Sequence, residues 1–159
     1  PLSRRQRQMC IRDRIKSVVD DFNNIYKVKR GINISYKNDG KNKYLIYGIE
    51  NRIEQIIANL LDNAISFSDD NKDVIVQVSK SEDNKVYIKI LDEGQGFKEK
   101  DTNKIFKRFY SNRPDKFGQH SGLGLNIVKN LVDLHNATIK ATNREDKKGA
   151  SMEIEFPKV

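Results

Sequence analysis

Asn59 and Asn63 stand four residues apart in an apolar-periodic run, a spacing that stacks both amides on one helical face. Asn63 falls at the edge of the apolar stripe. An amide oxygen held there could ligate a hard cation such as Mg²⁺, which takes oxygen ligands and keeps waters and phosphates. Two asparagines on the polar face of an ordinary helix would look the same. Asp92-Glu93-Gly94-Gln95-Gly96 directly follows a strand-like run. Two glycines there let the backbone approach a ligand, and a strand-end aspartate can accept a hydrogen bond from an exocyclic amine. A plain strand-ending turn has the same composition. Ser121-Gly122-Leu123-Gly124-Leu125 opens a helical run, where free N–H groups and the helix dipole favour phosphate. Two familiar nucleotide motifs fail: Glu99 sits where a dinucleotide fingerprint needs its third glycine, and no P-loop pattern is present.

The elements that must position these residues follow from periodicity. Ile15, Val18, Val19, Phe22, Ile25 and Tyr26 recur at helical spacing up to Gly31, and Ile32, Ile34 and Tyr36 then alternate as a strand. Asn38-Asp39-Gly40 marks a turn before a short strand over Tyr44–Tyr47. Glu50–Phe67 is the clearest helix, with Ile53, Ile56, Ile57, Leu60, Leu61 and Ala64 on one side. Val74, Val76 and Val78, then Val86, Ile88 and Ile90, predict a hairpin turning at Glu82-Asp83-Asn84. A third helix spans Gly122–Leu134 with Leu123, Ile127, Val128, Leu131 and Leu134 inward. A closing hairpin runs from Ala137 to Ala141 and from Met152 to Phe156 around Lys147-Lys148-Gly149. This order predicts an α/β two-layer sandwich, a mixed, mostly antiparallel sheet on three helices. The intervening stretch Lys98–His120 has weak periodicity, and loops of that length in a small domain are usually functional. It holds seven Lys/Arg and three acids, so it could follow a polyphosphate or simply be solvated.

The 159 residues fit one domain. One cysteine and two histidines exclude a disulfide scaffold and a clustered Cys/His zinc site. No apolar stretch reaches the ~18 residues that span a bilayer. A net charge of +8 invites nucleic acid, but residues 1–14 alone carry five arginines and one acid. The tract Ser3–Arg14 resembles translated sequencing-adapter sequence, so residues 1–14 are expected to be a foreign or disordered basic tail, with the domain at 15–159. Without that tail no groove with interleaved aromatic and basic residues remains, and no nucleic-acid partner is expected.

The boxes gain meaning from their order. Asn59-Leu60-Leu61-Asp62-Asn63-Ala64, Asp92-x-Gly94-x-Gly96, Phe106-x-x-Phe109 and Gly122-x-Gly124 resemble the four boxes of the sensor histidine kinase ATP-binding domain. That domain has the Bergerat fold shared with type II topoisomerases, Hsp90 and MutL. The likeness spans about residues 15–157. It is strongest to alphaproteobacterial envelope and acid-sensing kinases, through Asn63–Ser68 and Ile105–Tyr110.

The resemblance implies Mg-ATP as ligand and phosphoryl transfer to a histidine on a dimerisation domain. It makes Asn63 the Mg²⁺ ligand and Asn59 its neighbour at the phosphates, and places Phe67 and Asp92 at adenine. Gly94 and Gly96 would shape the pocket wall, and Phe106 and Phe109 would anchor a lid. Gly122, Leu123, Gly124 and Leu125 would meet nucleotide, and Arg108 would approach the γ-phosphate. It further implies a response regulator as partner, and a membrane-anchored homodimer whose ATP-binding part is cytoplasmic. A serine-kinase anti-sigma factor shares the fold and is the nearest alternative. Two departures stand out. Ser66 replaces a common basic residue, and His135-Asn136-Ala137 replaces His-Gly-Gly in a turn read as structural.

Overall fold

The structure, a computed structural model, describes residues 6–98, 102–107 and 124–159. Helix α1 (Arg12–Arg30) ends where Gly31 takes a left-handed φ of 65°. The Gly31 and Ile32 amides return to the Lys27 and Tyr26 carbonyls, which satisfies the last turn. Helix α2 (Glu50–Phe67) has the bounds its apolar stripe predicts, and α3 covers Gly124–Leu134.

Five strands form the main sheet: β2 (Asn33–Lys37), β4 (Asp73–Lys80), β5 (Val86–Leu91), β6 (Thr138–Asn143) and β7 (Ala150–Phe156). Their spatial order is β2-β4-β5-β7-β6, with β2 parallel to β4 and the other pairs antiparallel. The sheet is mixed and mostly antiparallel, as expected. Val74, Val76, Val78, Val86, Ile88, Ile90, Met152 and Ile154 face one core together with Ile53, Ile56, Ile57, Leu60 and Leu61 of α2. Gln77, Lys89, Lys140 and Glu153 line a groove on the opposite, open face. The period-two alternation thus places apolar side chains under helices and polar ones in water.

Two expectations are corrected. In α3 the inward stripe is rotated: Val128 and Val132 are fully buried, whereas Ile127 and Leu134 are 36% and 48% exposed. Two overlapping stripes were available in this apolar helix, and packing on α2 selects the one that ends in His135. At the other end, residues 6–14 are not a disordered tail. Strand β1 (Arg7–Cys10) pairs antiparallel with β3 (Leu45–Gly48), and Ile11 is wholly buried before α1 begins. Arg12 donates to the Gly40 carbonyl, and Arg14 pairs with Glu50.

Candidate nucleotide site

Helix α2 carries three of the expected residues. Its apolar stripe sinks Asn63 to 5% exposure and leaves Asn59 half-buried one turn earlier. Ser66 is buried, and its hydroxyl donates to the Asn63 carbonyl at 2.9 Å. That hydroxyl serves the helix, and the basic side chain common at this position in the resembled family has no counterpart on this turn. Phe67 is half-buried at the last helical position. The helix end is closed from outside: the Arg30 guanidinium donates to the carbonyls of Ile65 (2.6 Å) and Ser68 and to Asp70 Oδ1 (2.7 Å). A cation on the last carbonyls opposes the negative end of the dipole.

Asp92 leaves β5 at 4% exposure. The amides of Gly94 (2.9 Å) and Ala150 (3.0 Å) both donate to its Oδ1. Among the described residues the two amide donors reach Oδ1 and none reaches Oδ2. Burial pushes the Asp92 carboxyl above the usual aspartate range; the two amides and the Arg144 guanidinium oppose this without cancelling it. The carboxyl is placed where a hydrogen bond from a ligand counts for more than it would in water.

The glycines of this loop answer to packing. A Cβ at Gly94 would stand 2.6 Å from the Phe67 carbonyl oxygen, so glycine lets the Asp92 loop close onto the end of α2. Gly96 has a φ of 76°, and a Cβ there would lie 2.7 Å from Asn143 Oδ1. Asn143 clasps the next residue, accepting from the Phe97 amide at 2.6 Å and donating to its carbonyl at 3.1 Å.

On the other side, Phe106 closes a short 3-10 helix (Thr102–Phe106) with its ring buried, and Asn126 of α3 donates to its carbonyl at 3.1 Å. Gly124 starts α3, and Leu125 packs partly buried on the core. Phe67 thus adjoins the Asp92 loop at the end of the helix that bears Asn59 and Asn63, while α3 packs against α2 and holds Phe106. Arg108, Phe109, Gly122 and Leu123 lie outside the described residues. Among the described residues no group of three or more His, Cys, Asp or Glu could hold a metal. The donors here are buried amide oxygen and the phosphates a nucleotide would bring, which fits Mg²⁺ because that ion accepts few protein ligands.

Sequence reasoning missed Arg30, Arg144 and Asn143, whose partners are 35 to 52 residues away. Only the flanking glycines Gly31 and Gly149 offered a local signal that chains cross closely there.

The fold and these boxes match a family model described as histidine kinase-, DNA gyrase B-, and HSP90-like ATPase over residues 48–159. The chain belongs to this ATPase family. Among curated proteins it is 35% identical over 142 residues to the sensor protein ChvG of Agrobacterium fabrum, covering 85% of this chain and 24% of that protein. Among solved structures, the nucleotide-free catalytic domain of the histidine kinase ThkA superposes with a TM-score of 0.82 at 25% identity, covering 96% of this chain and 95% of that one. ThkA in complex with the response regulator protein TrrA has the same fold, with a TM-score of 0.77 at 22% identity over 97% of this chain and 42% of that one. The chain is similar to the catalytic, ATP-binding part of sensor histidine kinases and spans about a quarter of the curated relative's length.

Proposed function

We propose that residues 15–159 bind Mg-ATP and donate its γ-phosphoryl group to a histidine on a dimerisation domain outside these 159 residues. The whole protein would be a membrane-anchored homodimeric sensor kinase that passes the phosphoryl group to a response regulator. Family membership, the likeness to ChvG and the ThkA complex with its response regulator support this reading. The observation that carries it is Asp92: a buried carboxyl with two amides on one oxygen, set against the helix that bears Asn59, Asn63 and Phe67.

Each residue then has one task. Asp92 Oδ2 accepts from the adenine amine, and Phe67 lies along the base. The Asn63 amide oxygen would hold Mg²⁺, which supplies neutralisation of phosphate charge when bound. Asn59 faces the phosphates from the preceding turn. The N-terminal turn of α3 at Gly124 directs free amides toward them. Arg108 and Phe109, with Gly122 and Leu123, complete the site as the resemblance assigns them. An amide cannot take a proton from water, so Asn59 leaves the site without a hydrolytic base, and transfer depends on an acceptor being brought in line.

Transfer of label from γ-labelled ATP tests the reading. The chain alone should gain no phosphohistidine, because His135 is buried in its own hydrogen bonds and His120 belongs to the Lys98–His120 stretch that this reading makes the lid over the nucleotide. Mixed with the acceptor-helix domain of its own kinase, it should label that domain with acid-labile, base-stable phosphate. Label on a serine of a partner protein would favour the anti-sigma reading instead.

A further inference from the structure

The turn between β6 and β7 is built around the Asp92 backbone. Arg144 Nη1 donates to the Asp92 carbonyl at 3.1 Å, and the Asp92 amide donates to the Ala150 carbonyl at 3.0 Å. The Ala150 amide returns to Asp92 Oδ1. Gly149 lies so close that a Cβ there would stand 2.0 Å from the Asp92 carbonyl oxygen. The guanidinium is itself fixed. Its Nε and Nη2 donate to the two Asp146 oxygens at 3.0 and 2.8 Å, and the Arg144 amide closes the turn on the Gly149 carbonyl at 2.9 Å. The Arg144 side chain is 3% exposed, whereas Asp146 is 64% exposed. A planar fork held at both ends in this way has little freedom left.

We propose that Arg144 is a positioning residue for nucleotide selection: clamped by Asp146, it holds the Asp92 carbonyl and so aims Asp92 Oδ2 at the exocyclic amine of adenine. This rests on Asp92 reading the base. A turn that merely joined two strands would not need to bury its guanidinium against a backbone carbonyl two strands away, nor a glycine against the same oxygen. The charge acts in the same direction as the geometry, since the guanidinium favours the ionised Asp92 that accepts best. The other charged groups around the loop are engaged elsewhere: Glu93 pairs with Lys147 at 3.2 Å and accepts from the Asp73 amide, and Asp146 faces Arg144.

The test uses the intact chain with Arg144→Met and Asp146→Asn, and two readouts. Calorimetry gives the affinity ratio of Mg-ATP to Mg-GTP, and carbon NMR follows the Asp92 carboxyl through a pH titration without nucleotide. Arg144→Met should cut the preference for ATP about tenfold, the effect of one misplaced hydrogen bond. It should also move the Asp92 titration to higher pH. Asp146→Asn should do both more weakly, and because Asp146 is on the surface it keeps the test open if Arg144→Met fails to fold. Arg144→Lys should keep the Asp92 titration near that of the parent and still lose selectivity, because a point charge cannot serve both partners. An unchanged nucleotide ratio and an unchanged Asp92 titration in the folded variants would overturn the proposal. If the parent chain itself does not prefer ATP, the base-reading role of Asp92 fails. The selection role of Arg144 falls with it, and the titration then reports only whether the guanidinium acts on Asp92.

Discussion

His135 Nε2 accepts a hydrogen bond from the Ile49 amide at 3.1 Å, tying the end of α3 to the N-cap of α2. Its Nδ1 lies 2.7 Å from the Leu131 carbonyl, and the ring sits edge-on to Phe156. The two helices that flank the site are thereby joined at the end opposite Asn63 and Gly124. His135→Ala leaves the Ile49 amide unpaired and opens a hole beside Phe156. Stability should fall by about 2–4 kcal/mol. Urea unfolding checks this, and a loss below about 0.5 kcal/mol would show that the link is dispensable.

Arg30 should matter for the same kind of reason at the other end of α2. Arg30→Met removes the guanidinium from the Ile65 and Ser68 carbonyls while keeping an unbranched stem. The expected cost is about 1–3 kcal/mol, read as a drop in Tm of several degrees. Because Phe67 is on that turn, Mg-ATP affinity should weaken alongside. Unchanged Tm and affinity together would remove Arg30 from the support of the site.

The pattern of success in reading the chain follows from where the information lies. The bounds of α2 were legible because six apolar residues repeat on one side and a polar turn follows. The β4–β5 hairpin was legible from alternation around Asn84, which has a φ of 66°. Strand β1 was not legible, since Arg7–Cys10 shows no alternation and exists through pairing with β3. The facing of α3 was misread because Ile127 and Leu134 complete a stripe as good as that of Val128 and Val132. Asn63, Phe67 and Asp92 are singled out by box order, and the structure buries Asn63 and Asp92. The groups that hold them, Arg30 and Arg144, act through backbone carbonyls far away in sequence, and nothing local marks such a partner.

The raised Asp92 carboxyl has a consequence for stability. A group with a folded-state pKa above its unfolded value stabilises the fold when protonated, and that contribution is lost as pH rises through the folded value. Ionised Asp92 therefore works against folding at neutral pH. Asp92→Asn keeps an oxygen for the Gly94 and Ala150 amides and removes the buried charge. It should be as stable as the parent or more so at pH 7–8, with the difference shrinking toward acid, while Mg-ATP affinity falls at least tenfold. Thermal melts across pH paired with calorimetry check both halves, and a destabilised variant at pH 8 would contradict the sign.

Asn63→Ala separates the metal from the nucleotide. Alanine suits a helix, so the fold should persist. Mg-ATP affinity should weaken by about 1–3 kcal/mol, and with a chelator present parent and variant should bind ATP alike. A defect of equal size with and without Mg²⁺ would mean that Asn63 shapes the pocket without holding the ion.

The most direct measurement compares Mg-ATP and Mg-GTP on the unmodified chain by calorimetry at neutral pH. In the proposed reading Asp92 accepts from the adenine amine, and guanine offers a carbonyl oxygen at that position; a site built for one hydrogen bond rejects a partner that leaves it unpaired. The account predicts saturable one-to-one binding of Mg-ATP, with Mg-GTP at least about a hundredfold weaker. Equal affinity for the two nucleotides, or no binding of either, would contradict it.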